Sequence, residues 1–545
     1  MKRNRLYIVC ISALFLLCSL LTSCLDENPK NQIPEDQTQE TIQSLYMNYV
    51  ASLYTHVGGY QESQGLMGTT RGLYDLNTLT SDEAIIPLRG GDWYDGGFWI
   101  RLHQHTWGVN DESIKAVWEY LYKVVALSNK SIEVLESNKS KFDAETIDLY
   151  IAEVRAFRGI YYYYLLDLFA RIPISTSSTT PIKDIKQSER KEVFDFTVKE
   201  LTESVDLLSA THSNRLGEYY GRITQPVAYF VLAKLFLNAE IYTNSDWTTS
   251  SDLAGNTIKI IIDGQEYNAW EACIYYCEQV GLRRYKLSDE YEENFEVFNE
   301  SSVENIFTIP MDKRSYTNQM QYIFRSLHYN HAGALGMSGE NGTSATLDVL
   351  RIYGYDTDNV DPRFNKNYYA GIMYKPNGEV IKTDVGTTLE YFPWEIKLDL
   401  SDPKYQKMAG ARMKKYAVDK TNIKDGKLID NDIVLFRYAD VLLMKSEAKV
   451  RNGENGDTEL NEVRNRVGAT DRSATLENIL DERLLELAWE GWRRQDLVRF
   501  GKYHEAYDQR PQLADETNRY TIVFPIPQSI IELNSNLSQN KGYNK

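Results

Sequence analysis

The segment DERLLELAWEGWRRQDLVRFGKY (Asp481–Tyr503) places acidic and basic side chains three and four residues apart. Residues at these intervals are neighbours on the surface of a helix, so opposite charges there form ion pairs. An acid–base catalytic cluster is the alternative interpretation, but ion pairing explains the spacing without further assumptions. We therefore predict a structural role for the charged side chains, which are Glu482, Arg483, Glu486, Glu490, Arg493, Arg494 and Asp496.

Helical periodicity extends from this segment over most of the chain. Asp143 is suited to cap a helix whose apolar residues then recur at intervals of three and four up to Leu168, with Pro173 beyond its end. Similar patterns predict helices over 113–135, 192–208, 227–242, 268–280, 433–451 and 476–500. Short connections indicate helical hairpins, although no strict 34-residue repeat is present.

Two loop-rich regions interrupt the helical pattern. Residues 62–110 cluster Gly, Trp and Tyr, and residues 308–432 are rich in Gly, Asn, Asp and Tyr, with strand-like pieces such as YFPWEIKL (Tyr391–Leu398). Neither composition suits an independent core. The predicted fold is mainly α: a degenerate tetratricopeptide-like frame of helical hairpins with large irregular loop insertions and short strands. Residues 39–545 are predicted to form one composite domain.

The first thirty residues, MKRNRLYIVCISALFLLCSLLTSCLDENPK, have the features of an export signal. A basic start precedes an uncharged run from Leu6 to Leu21, which is short for a membrane-spanning helix. The Leu-Thr-Ser-Cys end resembles a bacterial lipobox, which implies a signal peptide over 1–23, lipidation of Cys24 and an anchor and linker over 24–38. An ordinary signal with a chance cysteine is the alternative.

The composition excludes several classes of partner and chemistry. A net charge of −17 without a long basic run argues against nucleic acid. Beyond Cys24 only Cys273 and Cys277 remain, four residues apart on a predicted helix, and we expect buried free thiols. No phosphate-binding or dinucleotide-binding motif occurs, and no carboxylate pair stands out as catalytic. The prediction is a protein without enzymatic activity and without a cofactor.

Five segments together resemble the SusD/RagB family of outer-membrane nutrient-binding lipoproteins. Two of them, the Asp481–Tyr503 segment and the terminal Pro-Ile-Pro and Asn-rich signature, are very specific in combination. Ala170 replaces a glycine that is usual in the family. The segments are Val154–Ile174, Gly221–Tyr242, Ile433–Gly453, Asp481–Tyr503 and Phe524–Tyr543.

The resemblance implies a ligand, a partner and a place in the cell. Family members bind glycans mainly by stacking sugar rings on aromatic side chains in loops, and they work with a SusC-like TonB-dependent outer-membrane transporter. The implied location is the outer membrane, with the lipid-anchored chain facing the exterior. The acidic charge and the Trp-rich loop favour a neutral oligosaccharide or polysaccharide.

The stretch after Ser81-Asp82-Glu83 is the first candidate for the binding site, because the resemblance places sugar-stacking tryptophans there. Trp93 is the primary candidate, and a second loop would supply an opposing wall. The full set of predicted ligand-binding residues is Arg89, Asp92, Trp93, Tyr94, Trp99, Tyr322 and Tyr329.

Metal binding and two other functions remain alternatives at this level. His103, His105, His328 and His331 lack a clear third ligand, whereas Asp430 and Asp432 either hold calcium or cap a helix starting near Ile433. A surface-anchored glycoside hydrolase and a helical scaffold for protein or peptide binding also remain open.

Overall fold

The computed structural model describes residues 39–67, 69–249, 253–316, 321–513, 516 and 518–543, without the side chains of residues 321–323. Cys24 and the predicted signal and linker lie outside the described residues. The chain divides into two compact units, residues 1–48 and 49–545. The described part of the first unit contains helix α1 (Ile42–Tyr46), which is capped by the Thr41 side chain. The elements and sites described below belong to the second unit.

Helices account for most of the regular structure, and the prediction of a mainly helical fold is confirmed. None of the described helices is both long and apolar enough to cross a bilayer. The α-helices are α2 (Ser52–Gly58), α3 (Leu73–Thr78), α4 (Phe98–Gln104), α5 (Glu112–Asn138), α6 (Ala144–Phe169), α7 (Arg190–Val205), α8 (Gln225–Leu237), α9 (Ala239–Thr243), α10 (Ala269–Leu282), α11 (Gln321–Ser326), α12 (Tyr329–Ala334), α13 (Leu347–Tyr353), α14 (Phe364–Asn367), α15 (Tyr438–Arg451), α16 (Asp457–Arg466), α17 (Leu476–Leu487), α18 (Arg493–Arg499) and α19 (Gln528–Leu533).

Neighbouring helices pack as hairpins. Helix α5 contacts α6, α6 contacts α7, α8 contacts α10, and α10 contacts α15. Asp143 begins α6 as predicted, because its carboxylate accepts a hydrogen bond of 2.9 Å from the backbone N–H of Thr146. At Gly159 an added Cβ would lie 3.2 Å from the Leu201 side chain, so the absent side chain lets α6 and α7 approach closely. Ala170 ends α6 with a φ of 57°, a region that favours glycine.

Three predicted helices end or begin differently in the structure. The 227–242 pattern forms two helices that meet at Asn238, whose side chain donates a 2.8 Å hydrogen bond to the carbonyl of Lys234. The first five residues of the 433–451 pattern form a strand because they pair with Asn305–Ile309. The 476–500 pattern breaks where Trp489 and Gly491 adopt positive φ angles of 68° and 74°.

Ten of the eleven described strands form five two-stranded antiparallel sheets, and β2 belongs to none of them. The sheets pair β1 with β6, β3 with β4, β5 with β11, β7 with β10 and β8 with β9. Most of YFPWEIKL is not a strand, because only its first residue belongs to β9 and Pro393–Glu395 form a 3-10 turn. The strands are β1 (Ala84–Ile85), β2 (Gly90–Trp93), β3 (Lys259–Ile262), β4 (Gln265–Asn268), β5 (Asn305–Ile309), β6 (Ser344–Ala345), β7 (Tyr368–Tyr369), β8 (Gly371–Ile372), β9 (Glu390–Tyr391), β10 (Arg412–Met413) and β11 (Ile433–Arg437).

A buried network of ion pairs lies where α17 meets the β5–β11 sheet, and we call it the central ion-pair network. Glu486 contacts Arg363 at 2.9 Å, Arg437 at 2.5 Å and also Arg466. Burial alone would raise the pKa of Glu486, but the three guanidinium groups outweigh it and hold that pKa far below its usual range. The network consists of Arg363, Lys415, Arg437, Arg464 and Arg466 with Glu304, Asp361, Glu482, Glu486 and Glu490.

The charges of this network balance within the protein interior. Its five cationic and five acidic side chains are each less than a tenth exposed. Burying a charge is costly unless it is paired and hydrogen-bonded. The Glu/Arg pattern at 481–503 is therefore structural, as the spacing predicts.

Replacing Glu486 with Gln should destabilise the protein by about 3–5 kcal/mol, because three buried guanidinium groups would lose one shared carboxylate. Urea unfolding monitored by circular dichroism measures this loss. The matched control is Glu379→Gln, which removes only a pair with Lys375 on the surface and should leave the midpoint unchanged. Equal midpoints for both variants would contradict a stabilising role for the network.

Candidate functional site

Trp93 occupies a fixed position at the end of strand β2. Its backbone has a φ of 67°, and its indole N–H donates a 3.1 Å hydrogen bond to the carbonyl of Glu340. The ring lies over Gly342, where an added Cβ would come within 2.5 Å of Cζ2 of the indole. The side chain is half-buried. Trp93 is thus held from one side while part of it remains accessible.

Trp99 lies in the core behind Trp93. The Trp99 side chain is only 2% exposed, and its indole N–H donates 2.7 Å to the Asp95 carboxylate. Its ring meets Trp93 edge-on at a centroid distance of 5.9 Å. Direct ligand contact by Trp99 is therefore not supported, because helix α4 turns this ring inward. Its contact supports the Trp93 ring instead.

The other predicted residues of the Trp93 loop differ in their exposure. Tyr94 is 57% exposed, and Asp92 is exposed as well. Arg89, in contrast, is buried and donates to the hydroxyl of Ser344 at 2.8 Å and to the carbonyl of Gln406 at 3.1 Å. Ligand contact by Arg89 is therefore not supported in this structure, because its guanidinium joins neighbouring loops.

Tyr329 faces a cleft of about 500 Å³, which we call the Tyr329 cleft. The Tyr329 side chain is 39% exposed, and the Lys407 ammonium lies 5.6 Å from the centre of its ring. A cleft of this size suits a small organic ligand. The side chain of Tyr322 lies outside the described part of the chain. The cleft is lined by His328, Tyr329, Asn330, Thr383, Asp384, Val385, Thr387, Phe392, Pro403, Lys404, Gln406, Lys407 and Met408.

The Trp93 loop and the Tyr329 cleft adjoin each other. Gly90 has a φ of 62°, and a Cβ there would overlap the side-chain amide of Gln406, which lines the cleft. Asp92 also raises the pKa of Tyr329, although burial of the phenol is the larger cause. The structure thus places Asp92 near Tyr329, and Trp93 and Tyr94 follow Asp92 in the same loop.

Sequence reasoning missed three side chains of this site. Phe392, Lys404 and Lys407 line the cleft, and the Lys404 ammonium lies 5.5 Å from the Phe392 ring. Their only signal was their position within the loop-rich region 308–432, because nothing in the segment SDPKYQKM resembles a binding motif.

The Ser81–Glu83 stretch joins the site to the frame. Asp82 accepts two hydrogen bonds from Arg493, at 2.7 and 2.8 Å, and Glu83 accepts from the backbone N–H of Trp489. Burial raises the pKa of the Glu83 carboxyl to about 7, which the Trp489 N–H and the Lys415 ammonium partly offset. The start of the Trp93 loop is therefore bonded to the turn that divides α17 from α18.

His105, His328 and His331 have hydrogen-bond partners within the protein, whereas neither ring nitrogen of His103 has one among the described residues. His105 Nε2 lies 2.7 Å from the Thr80 carbonyl, and His331 Nδ1 lies 3.1 Å from the Tyr391 hydroxyl. His328 Nδ1 accepts from the backbone N–H of Asn330. His103 is buried beside the Tyr507 ring. Over the described ranges, no group of three or more His, Cys, Asp or Glu side chains is placed to hold a metal ion.

Asp430 and Asp432 are committed to contacts within the protein. Asp430 contacts the Lys313 ammonium at 2.6 Å, and Asp432 accepts from the N–H of Met311 at 2.8 Å and from the hydroxyl of Tyr220 at 2.6 Å. The alternative of a helix cap near Ile433 is wrong, because a strand begins there. An ammonium group takes the position in which a cation would balance Asp430.

Two family models match the chain. Residues 303–543 match the model described as the SusD family, and residues 25–237 match the model described as starch-binding associating with outer membrane. The chain is 25% identical to the starch-binding protein SusD of Bacteroides thetaiotaomicron over 88% of its length and 87% of that protein. It is 23% identical to a SusD-like protein of Bacteroides ovatus, over 92% and 83% of the two chains.

Solved structures agree with this fold. A laminarin-binding SusD-like protein superposes with a TM-score of 0.69 at 20% identity, covering 92% of this chain and 99% of the other. Surface glycan-binding protein A from Bacteroides thetaiotaomicron, in complex with laminarihexaose, gives a TM-score of 0.68 at 19% identity over the same shares. The fold is that of SusD-like proteins. The chain belongs to the SusD family, whose description associates it with the outer membrane.

Gly342→Ala should displace the Trp93 ring, because the added methyl group would overlap it. We expect a change in the tryptophan emission spectrum and, in a crystal structure, a moved indole. Gly333→Ala is the matched control, since no atom lies within 4 Å of a Cβ at that exposed helical position. An unmoved indole in Gly342→Ala would show that the contact with Gly342 does not fix the ring.

Proposed function

We propose that this protein is a cell-surface glycan-binding lipoprotein that captures an oligosaccharide or polysaccharide. The observation that carries the proposal is a set of aromatic side chains on two adjoining features. Trp93, held by Glu340, and the exposed Tyr94 lie in the Trp93 loop, and the partly exposed Tyr329 lines the cleft beside it. The named relatives support it, since one is a starch-binding protein and another is a structure with bound laminarihexaose.

The chemistry of the site suits a sugar ring. The C–H face of a pyranose packs on an aromatic ring, while polar side chains meet its hydroxyl groups. Asp92 beside Trp93, and Asn330 and Asp384 in the cleft, offer such groups. Asn330 already donates 2.8 Å to Asp384, so the pair is oriented before a ligand arrives. Preorganised side chains lower the entropic cost of binding.

Trp93→Ala should weaken glycan binding by about 2 kcal/mol or more, because a stacked aromatic is typically a hot spot, which corresponds to roughly thirtyfold in affinity. The detergent-solubilised protein is first screened on affinity gels containing soluble starch, laminarin and other polysaccharides. Calorimetry with the retained glycan then compares wild type and variant. Circular dichroism verifies the fold.

Trp394→Ala is the matched control, since Trp394 is 42% exposed and lines a different cleft with Arg351 and Asp508. It should bind as wild type does. Loss of binding in Trp394→Ala but not in Trp93→Ala would show that the site lies at the other cleft. If the wild-type protein retained no glycan, the proposed function would be contradicted. Prolonged incubation should leave the glycan length unchanged, because the proposed role is binding; new reducing ends would indicate a hydrolase.

The proposal includes a lipid anchor at Cys24, an outward-facing position on the outer membrane and a SusC-like TonB-dependent transporter that receives the ligand. The lipobox-like sequence and the family description support the anchor and the membrane. The transporter rests on the family resemblance.

One affinity purification from mildly solubilised membranes tests the anchor and the partner. Mass spectrometry should find acyl chains on Cys24 at the mature N-terminus, together with a co-purified barrel protein. A chain with an unmodified N-terminus elsewhere would contradict the anchor. Recovery of the lipoprotein alone in several detergents would contradict the partner.

A further inference from the structure

Two arginines beneath the Tyr329 cleft are buried without a carboxylate. Arg89 donates to the carbonyls of Gly342 and Ala409, in addition to its contacts with Ser344 and Gln406. Arg412 donates to the carbonyls of Ser326, Thr343 and Lys407. Among the described residues neither guanidinium forms an ion pair, and Nε of Arg412 has no hydrogen-bond partner.

Over the described part of the chain, most other buried arginines have a carboxylate partner, and Arg190, which packs on the Tyr242 ring, is a further exception. Arg363 and Arg437 in the central ion-pair network, and Arg325 with Asp75 at 2.6 Å, each have carboxylate partners. Burying a guanidinium against carbonyl dipoles alone leaves a full positive charge in a region of low dielectric. Burial lowers the pKa of Arg412 to about 10, with the hydroxyls of Tyr391 and Tyr329 opposing the shift.

The positive charge acts on the walls of the cleft. The Arg412 guanidinium lies 5.0 Å from the centre of the Tyr391 ring. The Tyr391 hydroxyl accepts a 2.9 Å hydrogen bond from the backbone N–H of His328 and lies 3.1 Å from Nδ1 of His331. Burial, together with the charges of Arg412, Lys407 and Arg89, lowers the pKa of His328 to about 4, and Asp384 opposes the shift.

Further cations stand at the mouth of the cleft. Lys404 and Lys407 are exposed, and neither forms an ion pair within the described ranges. Among the residues that line the cleft, Asp384 is the one acidic side chain against these two lysines, and the other carboxylates lie outside the lining. Asp384 accepts from Asn330, and Glu340 is flanked by Lys427 and Arg325, while Glu395 and Asp402 lie on the Lys404 side. Asp92 is the acidic group that faces Tyr329 from the Trp93 loop.

We propose that the Tyr329 cleft takes a glycan whose sugar rings carry anionic groups, either uronate carboxylates or sulfate esters, with Lys407 and Lys404 contacting the anion above Arg89 and Arg412. The inference rests on the proposed function and narrows its ligand. It replaces the expectation of a neutral glycan, which followed from the net charge of the whole chain.

Side chains close to the cleft act on a bound ligand more strongly than the net charge of the whole chain does. At physiological ionic strength, exposed charges farther away than about 8 Å are largely screened. The net charge of −17 is spread over a 545-residue chain, whereas Lys404 and Lys407 line one cleft, and Arg89 and Arg412 lie behind it, bonded to the carbonyls of its lining residues Gln406 and Lys407. An anion in the cleft would meet them at close range and offset the charge of the two buried guanidinium groups.

Three monosaccharides isolate the effect of charge from that of glycan linkage: D-glucose, D-glucuronate and glucose 6-sulfate. Saturation-transfer NMR with the detergent-solubilised protein measures the binding of each at 50 mM NaCl. At least one anionic sugar should bind about tenfold more tightly than glucose, and 500 mM NaCl should remove most of that difference because it screens the contacts. The carboxylate and the sulfate arms distinguish the two sources of negative charge.

Lys407→Gln should reduce the preference for the anionic sugar over glucose to about threefold or less. Lys199→Gln, on the exposed face of α7, is the control with the same change in net charge and should keep the difference. Equal binding of all three sugars, or a preference for glucose, would overturn the inference. That outcome would leave the proposed function intact if the Trp93-dependent retention of a polysaccharide persists.

Discussion

The contact of Glu486 with three buried arginines fixes the arrangement of the helices and strands around it. Arg363 comes from the segment before α14, Arg437 from the end of β11 and Arg466 from the end of α16. Each of these arginines also pairs with another carboxylate, but loss of the shared one would leave positive charge incompletely balanced in the interior, where an unbalanced ion costs several kcal/mol. The helical frame and the loop-rich region are therefore joined through one acidic side chain of α17.

The binding loop depends on the same part of the molecule. The turn between α17 and α18 supplies the Trp489 N–H to Glu83 and the Arg493 guanidinium to Asp82. From there the chain runs through β1 to Arg89 and Trp93. Trp93 is thus positioned by two sets of hydrogen bonds. The bond from its indole to Glu340 holds the ring, and the bonds of Asp82 and Glu83 hold the start of its loop. Loops carry the function here because the frame orients them.

Local sequence was sufficient for the helices and insufficient for the site. Periodicity found α5, α6 and α10, since their apolar residues pack against neighbours close in sequence. It failed at Ile433–Arg437, where a distant strand, Asn305–Ile309, decides the conformation. Trp93 and Tyr94 could be proposed from their polar loop and a family resemblance. The interior position of Arg89 could not, because its acceptors come from residues 342–344 and 406–409.

The hydrogen bond from Trp93 to Glu340 joins residues 247 positions apart, and that from Trp489 to Glu83 spans 406 positions. Contacts so distant along the chain form late in folding, because the entropy of closing a long loop must be overcome first. Because synthesis starts at the N-terminus, the loop that carries Trp93 is made long before the residues that orient it. Ligand capture would thus begin only after the last third of the polypeptide has folded, which makes binding itself a report on completed folding.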